Sequence, residues 1–421
     1  MTSTNILFKT VLIFSAILSF QSHAKLNLPP LPEPVTNNAV ASVIIDGQQS
    51  ILSFSGLSAD KKLSGMHNKA WRLDVVNDVA NDSTQNATNS SANDKLNKKS
   101  ISSELKTESK PLSPANFSFE IEANTRVKVA ADFKNKWQAI TSLPSLQEPH
   151  GRIGSTAVGV NDSVYIFGGY NLSSSKSFDT APGVYKYHVP TDTYAQLEPM
   201  PVSVNDAVAL VYRDRYIYVI SGWNNDAAVN LVQVFDTLKN EWFQASPFIG
   251  TPVFGHAGGI VDNVIMICDG AKVTPQLAAN RTITQQASCY LGEINVTRAD
   301  KISWYQWVHP TDAGRFRMAA AGDTENDRII FVGGTNAPHG ANGERIDGKA
   351  NSNDSKKPKA LTPNSEIWIY NIAKRSWQVS NSPQASMDHR GLLDVNGNWI
   401  TIGGMVEKQQ ITDKVIVHIG R

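Results

Sequence analysis

The chain has 421 residues, of which 41% are hydrophobic and 18% are charged. This composition is typical of a globular protein with a sizeable core. The formal net charge is +1, so no overall electrostatic field favours nucleic acid or an anionic membrane surface. We therefore predict no nucleic-acid partner, and any recognition by charge has to be local.

The N-terminal residues have the three parts of a secretory signal peptide. Lys9 supplies the positive charge, residues 11–20 form a short apolar run, and Ser22 and Ala24 are the small residues before a cleavage site. The apolar run is too short to span a bilayer stably, and a membrane anchor or a buried strand is the alternative interpretation. We expect residues 1–24 to be removed. The mature chain, which has no other stretch of membrane length, is then expected to be periplasmic or secreted.

The rest of the chain repeats one pattern. An apolar strand with small residues leads through a polar turn to a second strand, which ends in a glycine pair or its remnant. Two further strands follow a variable loop, and the second of them opens with an aromatic residue. The clearest copy runs from Gly154 to Leu197. The second strands of the six copies end at Gly56, Gly168-Gly169, Gly222, Gly270, Gly333-Gly334 and Gly403-Gly404.

Each copy has the period-two patterning of β-strands and no helical periodicity. Four antiparallel strands cannot bury both faces alone, so the copies must stack around an axis. The prediction is an all-β fold, a single six-bladed β-propeller over residues 25–421. The double glycine and the spaced aromatic pairs, such as Tyr187 with Tyr194 and Tyr370 with Trp377, resemble the kelch repeat.

The last copy lacks a fourth strand. Residues 26–32 resemble the fourth-strand endings at 140–144 and 197–201, so we predict that this N-terminal strand completes the last blade at its outer edge, where proline is tolerated. Two polar insertions, at about 77–114 and 339–363, interrupt the first and fifth blades. The first is of low complexity and too poor in apolar residues to order itself. We interpret both as surface excursions, with lids over the channel as the alternative.

The two cysteines, Cys268 and Cys289, lie at the end of one strand and the start of the next in the same blade. Antiparallel neighbours joined by a loop bring such ends side by side, and an exported protein meets an oxidising compartment. These positions favour a disulfide, with two separate buried thiols as the alternative.

Polar residues recur where each innermost strand begins, and these positions converge at one mouth of a propeller channel. The basic residues there are Arg152, His256, Arg315, Arg317, His389 and Arg390. A ring of donors suits an anionic or hydroxyl-rich ligand, and arginine suits bidentate carboxylate binding. The alternative is that these residues satisfy loop carbonyls or pair with acids such as Asp206 and Asp388. In the loops after the glycines, Asn336 and Trp223 are further candidates for ligand binding. Trp223 is suited to stacking on a sugar, with a packing role as the alternative.

A secreted single propeller with arginines at its mouth resembles the bacterial N-acetylneuraminate epimerases, or sialic acid mutarotases. The similar segments are Gly151-Arg152, 255–258, 269–272, 388–391 and 402–404. The resemblance implies that Arg152 and Arg390 hold the sugar carboxylate. Ring opening also needs an acid and a base, for which Asp269 and His256 are the candidates. The chain departs from the family at Ala271, where the family has a candidate catalytic glutamate.

A more distant resemblance links the propeller to galactose oxidase, whose copper site has no counterpart among these cysteines and histidines. No zinc, phosphate-loop or serine-hydrolase motif occurs either, so we predict neither a metal nor a cofactor. Two functions stay open. The first is a mutarotase-like isomerase acting on an acidic sugar, and the second is a non-catalytic kelch propeller that binds a glycan or an envelope protein.

Overall fold

The computed structural model describes residues 26–75, 135–144, 151–172, 178–181, 183–225, 227–274, 282–336 and 361–419. These residues form six antiparallel blades in an all-β propeller, which confirms the predicted fold class. The predicted signal peptide, the first insertion and most of the second lie outside the described residues, so those expectations stay predictions. No helix within the described ranges is long and apolar enough to cross a membrane.

The first three blades are built from sixteen strands. Blade 1 comprises β1 (Val35–Thr36), β2 (Ala39–Ile45), β3 (Gln48–Ser58), β4 (Met66–Asp74) and β5 (Gln138–Ile140), with a 3₁₀ turn at Leu63–Gly65. Blade 2 comprises β6 (Ile153–Val160), β7 (Ser163–Leu172), β8 (Phe178–Thr180), β9 (Val184–His188) and β10 (Thr193–Leu197). Blade 3 comprises β11 (Val208–Tyr212), β12 (Tyr216–Ile220), β13 (Trp223–Asn224), β14 (Ala227–Ala228), β15 (Val232–Asp236) and β16 (Glu241–Gln244).

The other three blades follow the same plan. Blade 4 comprises β17 (Ala257–Val261), β18 (Val264–Cys268), β19 (Ala271–Thr274), β20 (Thr282–Gln285), β21 (Cys289–Asn295) and β22 (Arg298–Trp307). Blade 5 comprises β23 (Ala319–Asp323), a 3₁₀ turn at Thr324–Asn326, β24 (Arg328–Val332), β25 (Asn364–Asn371) and β26 (Ser376–Ser386). Blade 6 comprises β27 (Leu393–Val395), β28 (Asn398–Ile402), β29 (Met405–Val406), a 3₁₀ turn at Glu407–Gln409, β30 (Gln410–Ile411) and β31 (Val415–Ile419).

Apolar side chains between neighbouring blades form the core. In β15, for example, all five residues are buried, because both faces of the strand meet another blade. One cluster joins Tyr218 and Val234 of blade 3 to Ile265 and Ile267 of blade 4. Period-two strands therefore have two apolar faces here, as stacking around an axis requires.

A repeated hydrogen bond ties five of the six blades to the blade before. An aromatic residue in or beside the outermost strand of five blades donates to a carbonyl at the end of the blade before. These pairs are Trp137 to Pro29, Tyr194 to Thr141, Trp242 to Glu198, Trp304 to Ser246 and Trp377 to Val308, at 2.7–3.4 Å. The carbonyl of Pro29 thus occupies the place that a fourth-strand ending supplies elsewhere.

The N-terminal segment closes the ring at this point. The Leu31 N–H donates to the Asp413 carbonyl at 2.7 Å, just as the Leu143 N–H donates to the Asn68 carbonyl at 2.9 Å. Leu26 and Leu28 pack against the apolar cluster that blades 1 and 6 share. Among the described residues the blade 6 sheet has three strands, so the segment docks through these contacts and not through a continuous strand ladder.

The two cysteines face each other directly across β18 and β21. Their sulfur atoms are joined at 2.00 Å, and their Cα atoms are 4.2 Å apart. The bond closes the loop that carries the β19–β20 hairpin.

Candidate functional site

The innermost strand of every blade lines a central channel of about 350 Å³. At one end of it, one residue from each blade has a left-handed backbone, with φ between 49° and 71°. We call these six residues the axial ring, and they are Asn37, Gly154, Asp206, Gly255, Arg317 and Asp388. Backbone hydrogen bonds link ring neighbours, for example from the Gly255 N–H to the Asp206 carbonyl at 2.8 Å and from the Arg317 N–H to the Gly255 carbonyl at 2.7 Å.

Four charged side chains meet at the axial ring and form an axial charge cluster. Arg317 donates to Asp388 at 2.7 Å and to Asp206 at 2.9 Å. Arg390 lies 2.7 Å from Asp206 and 3.5 Å from Asp388. All four side chains are at most 9% exposed. The cluster therefore balances two positive charges against two negative charges inside the protein.

Blade 1 completes the cluster. The Asn37 amide donates to Asp388 at 2.7 Å, and the Thr36 hydroxyl donates to the same carboxylate oxygen. Arg390 also donates to the Asn37 side-chain oxygen. Residues from blades 1, 3, 5 and 6 are thereby joined across the axis, since a buried carboxylate needs its acceptor sites filled.

The electrostatic balance appears in the pKa shifts. Burial alone would lower the pKa of Arg317, but the charges of Asp206 and Asp388 raise it above its ordinary value. Burial, and then the charge of Arg317, lowers the pKa of Arg390. Burial also raises the pKa of the neighbouring Tyr170 to about 12. The two guanidinium groups thus face carboxylates of the protein itself, and the cluster presents no net charge to a ligand.

Arg152 lies outside the channel lining, so the structure does not bring it together with Arg390. Its guanidinium donates to the Gly168 and Pro144 carbonyls at 3.1 and 3.2 Å and lies 5.2 Å from the centre of the Tyr185 ring. These contacts hold the guanidinium between blade 2 and the end of blade 1. That Arg152 and Arg390 together hold a sugar carboxylate stays a prediction.

Asp269 also lies away from the channel. Its buried carboxylate accepts hydrogen bonds from His309 at 2.7 Å, from the Arg315 N–H at 2.8 Å and from the Ser288 N–H at 3.3 Å. Burial raises the pKa of Asp269. These bonds fasten the end of β18 to the loop that enters blade 5, so the carboxylate does not meet Arg317 or Arg390.

His256 and His389 line the channel with part of their surface, but each ring is bound to the end of a strand in the preceding blade. The Nε2 of His256 lies 3.0 Å from the Ile220 carbonyl, which can only accept, so this nitrogen carries the proton. The Nε2 of His389 lies 2.9 Å from the Ser386 hydroxyl. Burial lowers the pKa of both histidines to about 4, so both are neutral at pH 7.

The two loop candidates have packing and loop-closing contacts. Trp223 is half-buried and stacks edge-on against Phe254, with ring centres 5.1 Å apart. The Asn336 side-chain oxygen accepts from the Thr362 N–H at 3.1 Å and so holds together the two ends of the second insertion. Neither residue lines the channel.

Thr36 and Asn37 were not among the sequence candidates. Asn37 precedes the innermost strand of blade 1, as Asp206 and Asp388 precede those of blades 3 and 6. Alignment of the degenerate first copy with the others would have shown it. No group of three or more metal-binding side chains occurs in the described part of the chain.

Comparisons with known proteins agree with this architecture. A family model described as the Kelch motif matches residues 207–248. Kelch-like protein terF of Aspergillus terreus is 25% identical over 209 residues, which cover 47% of this chain and 42% of that protein. Kelch-like protein 33 of Homo sapiens is 25% identical over 139 residues, covering 33% and 25%. The chain thus spans less than half the length of these curated relatives.

Among solved structures, that of YjhT matches with a TM-score of 0.60 and 15% identity, over 93% of this chain and 96% of the other. At this identity the match shows a shared fold. Together with the six blades and the matched motif, it leads to one conclusion. The chain is a six-bladed β-propeller that carries a kelch motif.

Proposed function

We propose that the chain is a non-catalytic kelch propeller that binds a partner molecule and does not convert a sugar. The axial charge cluster carries this proposal, because Arg317 and Arg390 are already paired with buried aspartates. A sugar carboxylate would have to displace one of them. Leaving a buried charge without its partner typically costs about 3–5 kcal/mol.

The environment of the candidate acid and base also supports a role without catalysis. Opening a sugar ring needs an acid and a base beside the reacting oxygens. The carboxylate of Asp269 is bound to His309 and two backbone N–H groups outside the channel lining. The protonated Nε2 of His256 is engaged by a carbonyl.

We also propose export to the periplasm or beyond, on the signal-like residues 1–24, so that the partner is a component of the envelope.

A second candidate function is the sialic acid mutarotase activity that the sequence resemblance implies. One observation favours it: two guanidinium groups, of Arg317 and Arg390, lie side by side at the end of a channel of about 350 Å³. In that case the carboxylate of the sugar would replace Asp206 or Asp388 as their partner.

Anomer exchange of N-acetylneuraminate, followed by NMR with and without the mature protein, separates the two functions. A non-catalytic propeller leaves the exchange at its spontaneous rate. Acceleration that is lost in Arg390→Ala and kept in Arg152→Ala would overturn the proposal and establish the mutarotase. Arg152→Ala is the matched control, because that arginine is buried but lies outside the channel lining. Circular dichroism would show that both variants are folded.

A further inference from the structure

Two blades cover an aromatic ring of their third strand with an arginine. The guanidinium of Arg152 lies 5.2 Å from the centre of the Tyr185 ring in blade 2, and that of Arg315 lies 4.7 Å from the Trp368 ring in blade 5. Cation–π contacts of this kind contribute about 0.5–2 kcal/mol, and most when they are desolvated. In blade 5 the guanidinium also pairs with the carboxylate of Glu366.

Blade 1 has the equivalent aromatic residue, Trp71. The strand register shows the equivalence: Trp71 pairs with Ala139, two residues after Trp137. In the same way, Tyr185 pairs with Gln196, two residues after Tyr194. The indole of Trp71 is half-buried at the junction between blades 1 and 6.

The arginine is missing in blade 1. Thr36 pairs with Leu57, the residue after Gly56, as Phe316 pairs with Thr335, the residue after Gly334. The residue before Thr36 therefore corresponds to Arg315, and it is Val35. Val35 is an uncharged core residue, 2% exposed, so no cation of this position covers the indole.

A pocket of about 280 Å³ opens at this place, and we call it the seam pocket. Its lining residues are Pro32, Glu33, Lys69, Ala70, Trp71, Ala139, Ile140 and Ser142. Pro32 corresponds to Pro144, whose carbonyl accepts a hydrogen bond from Arg152 at 3.2 Å. The seam pocket thus lies beside Trp71, which corresponds in blade 1 to the two rings that a guanidinium covers in blades 2 and 5.

The charges at the seam pocket suit a cation. One carboxylate oxygen of Glu33 accepts from Lys69 at 2.6 Å. The other is buried and has no hydrogen-bond partner among the described residues. The Lys69 side chain is 51% exposed, and exposed ion pairs contribute only about 0–1 kcal/mol. Lys69 can therefore leave at little cost, and Glu33 can then take a second donor.

We propose that the seam pocket binds the guanidinium group of an arginine side chain from a partner polypeptide. The planar cation stacks on Trp71 and donates to Glu33, which reproduces between two molecules the contacts of Arg315 with Trp368 and Glu366. Arginine suits such a site because its fork of donors is rigid and its flat face stacks on aromatic rings. The inference rests on the proposed binding role and names the chemistry of the partner.

The test uses Nα-acetyl-arginine-N-methylamide as the probe, with the uncharged citrulline analogue as its control. Saturation-transfer difference NMR and the indole ¹H–¹⁵N signal of Trp71, assigned with Trp71→Phe, would report binding to the mature protein. We expect the arginine probe to bind and the citrulline analogue to bind at least five-fold more weakly. Anomer exchange plays no part in this measurement, so its outcome is separate from the test of the proposed function.

Two substitutions in the seam pocket are expected to act in opposite directions. Glu33→Gln should weaken arginine binding about five-fold, because it removes the charge of the acceptor. Lys69→Ala should strengthen binding by a similar factor, because it releases Glu33 and removes a competing cation. Lys186→Ala, at a half-buried lysine of blade 2 that does not line the seam pocket, is the control and should have no effect. Equal binding of arginine and citrulline, no change in Glu33→Gln, or binding of methyl β-glucoside in place of arginine would each overturn the inference.

Discussion

Three buried histidines are expected to make the propeller sensitive to acid. Burial lowers the pKa of His256 and His389 to about 4 and that of His418 to about 3. Both ring nitrogens of His418 already lie 2.8 Å from hydroxyl groups, those of Ser382 and Thr401. An unfolded chain gives histidine a pKa of about 6.5. The unfolded state therefore binds more protons below pH 6.5, and stability falls as the pH drops from there towards 4.

The expected magnitude follows from these pKa values. Between pH 7 and pH 5 each of the three histidines lowers the free energy of unfolding by about 2 kcal/mol, which makes roughly 6 kcal/mol together. The total is a large part of the stability of an ordinary domain. His309 acts in the opposite direction: burial opposes protonation, but Asp269 raises its pKa overall, so its contribution is present in acid and is lost as the pH rises.

Urea unfolding at pH 7, 6 and 5, followed by tryptophan fluorescence, measures the effect. His418→Gln should remove about 2 kcal/mol of the difference between pH 7 and pH 5. His188→Gln is the control and should retain the difference, because the His188 side chain, at the end of β9, is 34% exposed and is not one of the three buried rings. If the wild-type protein is as stable at pH 5 as at pH 7, these buried rings do not control its response to acid.

Three further predictions concern stability. Asp388→Asn should destabilise the protein by about 3–5 kcal/mol, because it leaves Arg317 and Arg390 with one carboxylate. Urea titration beside the exposed control Asp162→Asn would show this loss. An equal effect of both variants would contradict the prediction. Reduction of the Cys268–Cys289 bond, which spans 21 residues, should lower the free energy of unfolding by about 3 kcal/mol. Unfolding with and without dithiothreitol measures this loss. Unchanged unfolding after complete reduction would contradict the prediction. Trp137→Phe should lower the free energy of unfolding by about 1 kcal/mol, because it removes the hydrogen bond to the Pro29 carbonyl. A drop in melting temperature that exceeds that of Trp242→Phe would show that closure at the N-terminal segment is the weaker junction. No drop in melting temperature would show that this bond is dispensable.

The fold could be predicted from the sequence because the strands and turns of each blade leave a recognisable local sequence pattern. The glycine pairs, polar turns and spaced aromatic residues are local signals, and six copies of them predict six sheets. The likeness of residues 26–32 to the ends of other blades also predicted where the ring closes. The docking of Leu31 on Asp413 without a strand ladder was not visible, because ladder formation depends on the path of the backbone in three dimensions.

The candidate site was predicted only in part, because small shifts along the chain change the direction of a side chain. Arg317 lies at the axial ring itself, whereas Arg152 lies two residues before the ring residue Gly154 and therefore points into its own blade. Asp269 follows a strand end near the mouth, but its carboxylate turns to His309. The pairing of Arg317 with Asp206 and Asp388 joins residues 111 and 71 positions apart, and no local pattern reports such a contact.

The docking of the N-terminal segment on blade 6 has a consequence for how the protein is made. The contacts of Leu31 with Asp413 and of Thr36 with Asp388 join residues that lie far apart along the chain, 352 positions in the second pair. Early blades can fold while synthesis continues, but the ring cannot close until blade 6 has emerged. During that interval the apolar flank of blade 1 is exposed, and contacts between such distant residues form slowly. The nascent chain is thus expected to need a holdase chaperone until blade 6 has been synthesised.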